Sequence, residues 1–175
     1  QRVKPKTEDR TMAKIKSLEE LLVHELQDLH SAETQLVEAL PLMAEAVQNP
    51  RVKRAFNDHL KQTKGQVTRL NKALKLMGEE PGEEKCKGMD GLIREGKAAI
   101  KNTSDPDTLD AALIGAAQKV EHYEISGYGT ARTFAQQLGQ NEVAELLSAT
   151  LEEESAANEL LTDIAMAGVN VQAVA

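Results

Sequence analysis

The stretch EEPGEEKCKGMDGLIREGKAAIKNTSDP, residues 79–106, decides the fold, because it separates two pairs of long helical segments. Pro and Gly near its start stop the helix before it, and one short helix is predicted over 89–100. Its last residues predict a new helix start, with Ser104 or Asp105 as the cap and Pro106 in the first turn. These 28 residues are enough to run the length of a helix bundle.

The chain before this stretch predicts two helices joined by a tight turn. Ser17 has the position of an N-cap for a helix over 17–47, whose apolar residues keep a spacing of three to four. Pro41 is expected to bend or break that helix near its end, because proline removes a backbone donor. A second helix is predicted over 51–77, ended by Gly78.

The chain after the stretch predicts a second pair. One helix is expected over 107–138, and Asn141 is expected to cap the next, over 141–167. The connections within both pairs are short, so each pair forms an antiparallel hairpin. Two hairpins joined by one long crossover describe an all-α fold, a ferritin-like four-helix bundle with one short extra helix.

Composition agrees with helices and limits the partners. The 175 residues include two Phe, two Tyr and no Trp, which argues against an all-β fold. Twenty-one basic against 28 acidic residues give a net charge of −7, so nucleic acid is not an expected partner. Residues 1–14 carry five basic and two acidic groups and are expected to form a flexible basic tail. The bundle domain is assigned to 15–167 and a short tail to 168–175.

The expected compartment is the cytoplasm. Cys86 is the single cysteine, so no internal disulfide calls for an oxidising environment. No apolar run approaches the ~20 residues of a membrane span. The first residues also lack the apolar region of a secretory signal, so a membrane partner is not expected.

Polar side chains interrupt the apolar seam of every long helix near its middle. A lone ionised carboxylate in a bundle core costs several kcal/mol unless it is paired or metal-bound. Four helices that bring polar groups to one level therefore indicate a shared site. The residues are Glu25, Asp28 and Glu33 in the first helix, His59, Gln62 and Gln66 in the second, Glu121 and Glu124 in the third, and Glu154 and Asn158 in the fourth.

Two interpretations of these residues stay open. Oxygen ligands with few nitrogens favour iron or manganese, leave calcium open and disfavour zinc. The alternative is a metal-free hydrogen-bonded network, in which His59 is a satisfied core histidine and the amides serve the network. The usual Glu-x-x-His of dimetal bundles is absent, because Ala157 follows Glu154 at that spacing. Glu25, Glu152 and Glu153 are expected on the solvated face.

Five segments resemble the YciF-type bacterial stress proteins, and the resemblance spans about residues 15–167. The VEHYEI motif within the fourth of them is the most specific. They are LLVHELQDLHSAE (21–33), HLKQTKGQV (59–67), KCKGMDGLIREG (85–96), AAQKVEHYEISGYGT (116–130) and LEEESAAN (151–158).

The resemblance implies a ferritin-like bundle similar in shape to rubrerythrin-like diiron proteins, an extra helix over 89–100, and a homodimer linked to general stress. By position, the family's acidic residues correspond to Asp28, Glu33, Glu121, Glu124 and Glu154. The chain departs at Gln62, where many members have Glu, and at Asn158, where many have Asp. Each swap removes one negative charge.

The leading hypothesis is therefore a cytoplasmic, dimeric stress protein with iron or manganese in the bundle core. Its chemistry would be oxidation of Fe(II) by oxygen or peroxide, or peroxide disproportionation, with a small oxidant as substrate. The expected ligands are Asp28, Glu33, Glu121, Glu124 and Glu154, with His59 as a further candidate. The rival hypothesis is a metal-free dimeric structural or interaction protein, and whether the chain is an enzyme stays open.

Overall fold

Helices form the whole framework of the described chain. The computed structural model describes residues 14–174, and no strand occurs within them. The predicted basic tail lies almost entirely outside these residues. The elements are α1 (Leu18–Ala46), α2 (Pro50–Leu76), α3 (Lys87–Asn102), α4 (Pro106–Gln137), α5 (Asn141–Ile164), a π-helical turn (Ala165–Val169) and α6 (Asn170–Gln172).

Side-chain caps fix where most of the long helices begin. The Ser17 hydroxyl accepts from the backbone N–H of Glu20, as the capping-box spacing predicts. Asp105, rather than its neighbour, caps α4. The prediction of Asn141 as a cap is wrong, because Asn141 is already the first residue of α5 and Gln140 precedes it without a side-chain bond.

Two helix ends differ from the sequence-based expectation. α1 continues through Pro41 without a break and stops at Ala46. α5 ends at Ile164, and the turn that follows it contains a kink at Gly168, whose backbone is not helical, so the helical path breaks directly after residue 167, before the short helix α6. Val169 in that turn is buried in the core, which ties the last turns of the chain to the bundle.

The topology is two hairpins and a crossover, as the loop lengths predict. Within each hairpin, α1 packs on α2 and α4 on α5, and the hairpins meet where α2 lies against α5 and α1 against α4. The crossover carries α3, which packs across α1 and α4. This confirms the four-helix arrangement with one additional helix.

The core consists of three apolar clusters. The one under α3 includes Leu36, Met89 and Val120. The other two lie toward the two ends of the bundle, with a polar layer between them. One cluster lies where the α4–α5 turn meets the start of α1, and includes Leu22, Leu26, Leu70, Val143 and Leu147. The other lies at the α1–α2 turn and includes Val47, Val52, Leu113, Leu161 and Ile164. The buried polar side chains that belong to none of these clusters include Glu33, His59, Thr63, Gln66, Glu121, Glu124 and Glu154.

One buried carboxylate outside this layer has a structural role. Asp110 on α4 accepts from the backbone N–H groups of Gln48 and Asn49 at 2.9 and 2.8 Å, one with each oxygen. These bonds satisfy two donors of the α1–α2 turn and hold that turn against α4. Both oxygens of Asp110 are thus paired, in contrast to the carboxylates of the polar layer.

Candidate metal centre

Four buried side chains from three helices converge in the polar layer. His59 lies on α2, Glu121 and Glu124 on α4, and Glu154 on α5, and one ligand atom of each lies within 4.8 Å of the others. The Nε2 atom of His59 is 3.5 Å from Oε1 of Glu121 and 3.7 Å from Oε2 of Glu154. We call these four residues the central group.

Helical periodicity brings each of them to the core. On α2 the buried stripe passes through His59, Thr63, Gln66 and Leu70, which are separated by four, three and four residues. The same spacing on α4 and α5 turns the carboxylates of the central group toward the same layer. The site is therefore built on rigid helices and contains no loop residue.

Glu33 of α1 borders the central group. Its side chain is fully buried, and Oε1 accepts from the hydroxyl of Tyr128. Burial and, after it, the charge of Glu33 raise the pKa of Glu124 in the central group. With Glu33, all four long helices contribute to the layer, which places five of the six sequence-predicted ligands together.

Asp28 is the sixth predicted ligand, and the fold directs it elsewhere. Its Oδ2 accepts from the hydroxyl of Tyr123 at 2.8 Å and from Sγ of Cys86 at 3.1 Å. Burial raises the pKa of both the Tyr123 phenol and the Cys86 thiol. A Cβ at Gly88 would lie 2.6 Å from the Tyr123 ring, so glycine leaves room for this cluster. Asp28 is thus a partner of Cys86 and not a member of the central group.

The buried donor atoms fit a metal ion. Within the part of the chain that the structure describes, six of them around the centre have no hydrogen-bond partner other than a neighbouring carboxyl group, although buried polar atoms are normally paired. Carboxylate oxygens with one imidazole suit iron or manganese. The atoms are Oε2 of Glu33, Nε2 of His59, Oε2 of Glu121, Oε1 and Oε2 of Glu124, and Oε2 of Glu154.

Burial and mutual repulsion raise the pKa of these carboxyl groups, which favours their protonated form in the absence of a metal. Burial, followed by the charges of Glu33 and Glu154, raises the pKa of Glu124 well above its usual range. Burial also raises the pKa of Glu33 and of Glu154 well above that range. It raises the pKa of Glu121 to about 7, although a hydrogen bond with Glu154 lowers it in part. Metal binding must therefore release protons.

A further set of polar residues holds Glu154 in place. Gln66 donates to Oε1 of Glu154 and, at 3.1 Å, to Oε2 of Glu153. Arg69 donates to Thr150 at 2.9 Å and forms an ion pair with Glu153. The expectation that Glu153 is solvated is wrong, because its side chain is only 26% exposed and joins this network.

The amides of the predicted site separate into different roles. Gln66 has the expected network role. Gln62 is exposed, because it lies on the flank of the His59–Gln66 stripe rather than in it. Asn158 is half-buried and accepts from Gln118 at 3.2 Å, outside the central group. The two departures from the family's acidic pattern therefore leave the central group's own carboxylates unchanged.

The participation of Arg69 and Cys86 in these networks was missed from the sequence. From the sequence, Arg69 is expected to be an ordinary surface residue, because its partner Glu153 lies 84 positions further along the chain. Cys86 reads as a loop thiol, but it is buried and its sulfur accepts from the N–H of Met89 as the N-cap of α3. Only the place of Cys86 just before a predicted helix signals that role.

Metal-free protein is expected to lose stability as the pH rises from 5 to 8. The pKa of Glu121 is about 7 in the folded chain against 4.5 for the free group, so its contribution is present below 4.5 and is lost as the pH passes 7. The loss is roughly 2–3 kcal/mol from this group alone. Thermal unfolding in chelator at both pH values measures it. Glu121→Gln should flatten the dependence, and an equal or higher Tm at pH 8 would contradict the expectation.

Comparison with known proteins places the chain among bacterial relatives of similar length. Residues 17–174 match the family described as "Domain of unknown function (DUF892)". Protein YciF of Escherichia coli (strain K12) is 44% identical over 160 residues, which cover 91% of this chain and 96% of YciF.

Solved structures agree with that placement. The E. coli stress protein YciF superposes with a TM-score of 0.86, over 89% of this chain and 99% of YciF. YcfI from Rhodopseudomonas palustris is 38% identical with a TM-score of 0.84, over 86% of this chain and 96% of YcfI. A ferritin-like diiron-carboxylate protein from Bacillus anthracis str. Ames shares the fold at 16% identity, with a TM-score of 0.67 over 86% of this chain and 99% of that one. The ferritin-like fold is thereby confirmed.

Proposed function

Because the chain belongs to the DUF892 family and is a ferritin-like homologue of the stress protein YciF, we propose that it binds iron or manganese in the bundle core. The bound metal would react there with oxygen or peroxide. One observation supports the proposal above the others. Six buried atoms that could bind a metal, five carboxylate oxygens and one imidazole nitrogen, lie at the centre of four helices without a conventional hydrogen-bond partner. Leaving them unpaired would cost several kcal/mol, and a cation would compensate that cost.

The central group would hold the ion. His59, Glu121, Glu124 and Glu154 supply three carboxylates and one imidazole, a donor set suited to Fe(II) or Mn(II). Glu33 stands beside them and would serve a second ion. A bound metal of this kind supplies electron exchange with dioxygen or peroxide.

The surrounding residues orient the ligands and exclude water. Gln66 fixes one oxygen of Glu154, which leaves the other oxygen for the ion. Tyr128 does the same for Glu33. Such supporting hydrogen bonds commonly change metal affinity 10- to 100-fold. The apolar clusters on both sides of the layer keep bulk water from the carboxylates.

Loading the wild-type chain with metal tests the proposal. Protein purified without chelator, incubated with Fe(II) or Mn(II) and desalted, is expected to retain about one or two ions per chain, because the donors of the central group and Glu33 allow that number. Elemental analysis measures the ratio. Retention of no ion after loading with either metal would reject the proposal.

A metal-free structural or interaction protein is the second candidate. Two hydrogen bonds favour it, since Tyr128–Glu33 and Gln66–Glu154 already satisfy part of the layer. The relative from R. palustris is itself named as a proposed structural protein. The two candidates differ in what happens when a carboxylate of the central group is replaced: metal uptake is lost in the first case, and only stability changes in the second.

The family resemblance also leads us to propose a cytoplasmic homodimer. Leu42 and Leu160 are large apolar side chains that the isolated chain leaves 48% and 47% exposed, which supports contact with a second copy. No helix of residues 14–174 combines the length and the apolar character needed to cross a membrane. Sedimentation of the wild-type chain distinguishes a dimer from a larger ferritin-like cage.

A further inference from the structure

The number of ions that the polar layer holds depends on Glu33, because the proposed function allows one or two. One ligand atom from each residue of the central group lies within 4.8 Å of the others. Ligands that are about 2 Å from one ion lie within about 4 Å of one another, so these four atoms fit a single ion. Glu33 is buried beside this group but is not a member of it, and a second ion would need Glu33 as an additional ligand.

Hydrogen bonds already engage the carboxyl group of Glu33. Its Oε1 accepts from the hydroxyl of Tyr128, and the group is also hydrogen-bonded to the carboxyl group of Glu124. Tyr128 and Glu124 are fully buried, so water does not compete for either bond. Glu33 of α1 is therefore held between a phenol and a carboxyl group of α4, and binding an ion would break that arrangement.

The layer also offers few atoms for a second ion. A carboxylate that bridges two ions gives one oxygen to each. Oε1 of Glu154 accepts from Gln66, and the carboxyl group of Glu124 is bonded to Glu33, so each has one oxygen left for an ion. His59 is the only histidine among the buried residues of the described chain, whereas dimetal carboxylate bundles carry a histidine on each of two helices.

We propose that the centre takes a single ion, bound by the central group, and that Glu33 is a positioning residue for Glu124 and not a ligand. The inference rests on the proposed function and deepens it, because it sets the number of ions. Glu33 holds one oxygen of Glu124 and leaves the other for the ion, as Gln66 does for Glu154. One Fe(II) per chain supplies one electron, so reduction of hydrogen peroxide to two waters, which takes two electrons and two protons, consumes the Fe(II) of two chains.

Loading the full-length wild-type chain with Mn(II) or Fe(II) tests the number of ions. We expect elemental analysis to give one ion per chain with either metal. The electron paramagnetic resonance spectrum of the Mn(II) protein should be that of isolated Mn(II) and not of two coupled ions. Two ions per chain, or a spectrum of coupled ions, would overturn the inference and leave the proposed function standing. Retention of neither metal would reject both.

Two substitutions of Glu33 test its positioning role. Glu33→Gln keeps an oxygen that accepts from Tyr128 and an amide that can bond to Glu124, so the affinity for the metal should change by less than the roughly 10-fold that loss of a supporting bond causes. Glu33→Leu removes both bonds and should weaken binding by about 10- to 100-fold, with one ion per chain still bound at saturation. Glu38→Leu, at an exposed position of the same helix, is the matched control and should bind as the wild type does.

Rescue by the glutamine variant separates a positioning residue from a ligand. Equal weakening in Glu33→Gln and Glu33→Leu would show that the charge of Glu33 binds the metal, and unchanged affinity in Glu33→Leu would remove the positioning role. Either result would overturn the inference. If the leucine variant does not fold, the glutamine variant decides, since a loss as large as that in Glu154→Gln would identify Glu33 as a ligand.

Discussion

Glu154→Gln is expected to abolish metal uptake while the fold is kept. The substitution replaces a buried carboxylate of the central group by a neutral amide, which binds metals weakly. The amide oxygen can still accept from Gln66, so the local hydrogen bond survives. We expect the affinity for Fe(II) or Mn(II) to fall on the order of 100-fold or more, beyond what loss of a supporting hydrogen bond causes. Elemental analysis after loading, with circular dichroism for the fold, measures both effects.

Glu152→Gln is the matched control for this experiment. Glu152 lies on the same helix two residues away, but its side chain is exposed. Both substitutions exchange a carboxylate for an amide on the same helix, so an effect of losing a carboxylate away from the central group would appear in Glu152→Gln as well. If Glu154→Gln retained as much metal as Glu152→Gln, the central group would not be a metal site and the structural interpretation would stand.

Glu124→Met is expected to stabilise the metal-free protein. Both oxygens of Glu124 are buried without an amide, hydroxyl or basic partner in the described chain, since the only neighbour that bonds to this carboxyl group is the carboxyl group of Glu33, and burial raises the pKa of Glu124 well above the usual range. Replacing such a group by an apolar side chain of similar volume removes a desolvation cost, and we expect a gain of about 1–4 kcal/mol. Thermal unfolding in chelator should show it as a Tm higher by roughly 2–4 °C for each kcal/mol. The same variant should bind metal poorly.

Asp110→Leu supplies the contrast on the same helix. Asp110 is also buried, but each of its oxygens accepts from a backbone N–H. Its loss leaves those donors unpaired and is expected to destabilise the chain by about 1–3 kcal/mol. If Glu124→Met destabilised the metal-free chain as Asp110→Leu does, Glu124 would have to be a satisfied member of a structural network.

The two outcomes together separate a binding site from a scaffold. A site that must accept a cation retains unpaired carboxylates at a cost in stability, and removal of one of them relieves that cost. A scaffold retains polar groups because they bond to one another. Asp110 and Glu124 therefore represent the two kinds of buried carboxylate on a single helix.

The fold could be predicted because its determinants are local. Helical periodicity and the stop at Gly78 specify the helices without reference to distant residues. The 28 residues from 79 to 106 then exclude a simple up-down arrangement. One local prediction was wrong: Asn141 was expected to be the N-cap of the last long helix, but the helix begins at Asn141 itself, one residue earlier than that cap implies.

The candidate site was predicted less completely. Glu33, Glu121, Glu124 and Glu154 interrupt apolar seams, and the fold buries all four. Asp28 lies on a similar seam, but the N-cap of α3 brings Cys86, and α4 brings Tyr123, within hydrogen-bonding distance of it. No periodicity within α1 could reveal that, because Cys86 and Tyr123 lie 58 and 95 residues further along the chain than Asp28.

The sequence by itself determined that this protein is a bundle of four long helices with a crossover, and that carboxylates lie inside it. Both follow from spacing along one chain segment, which repeats with the helical turn. Only the tertiary structure decided which carboxylates face one another and which are satisfied. Those properties depend on the rotation and depth of each helix against its neighbours, and packing between distant segments sets them.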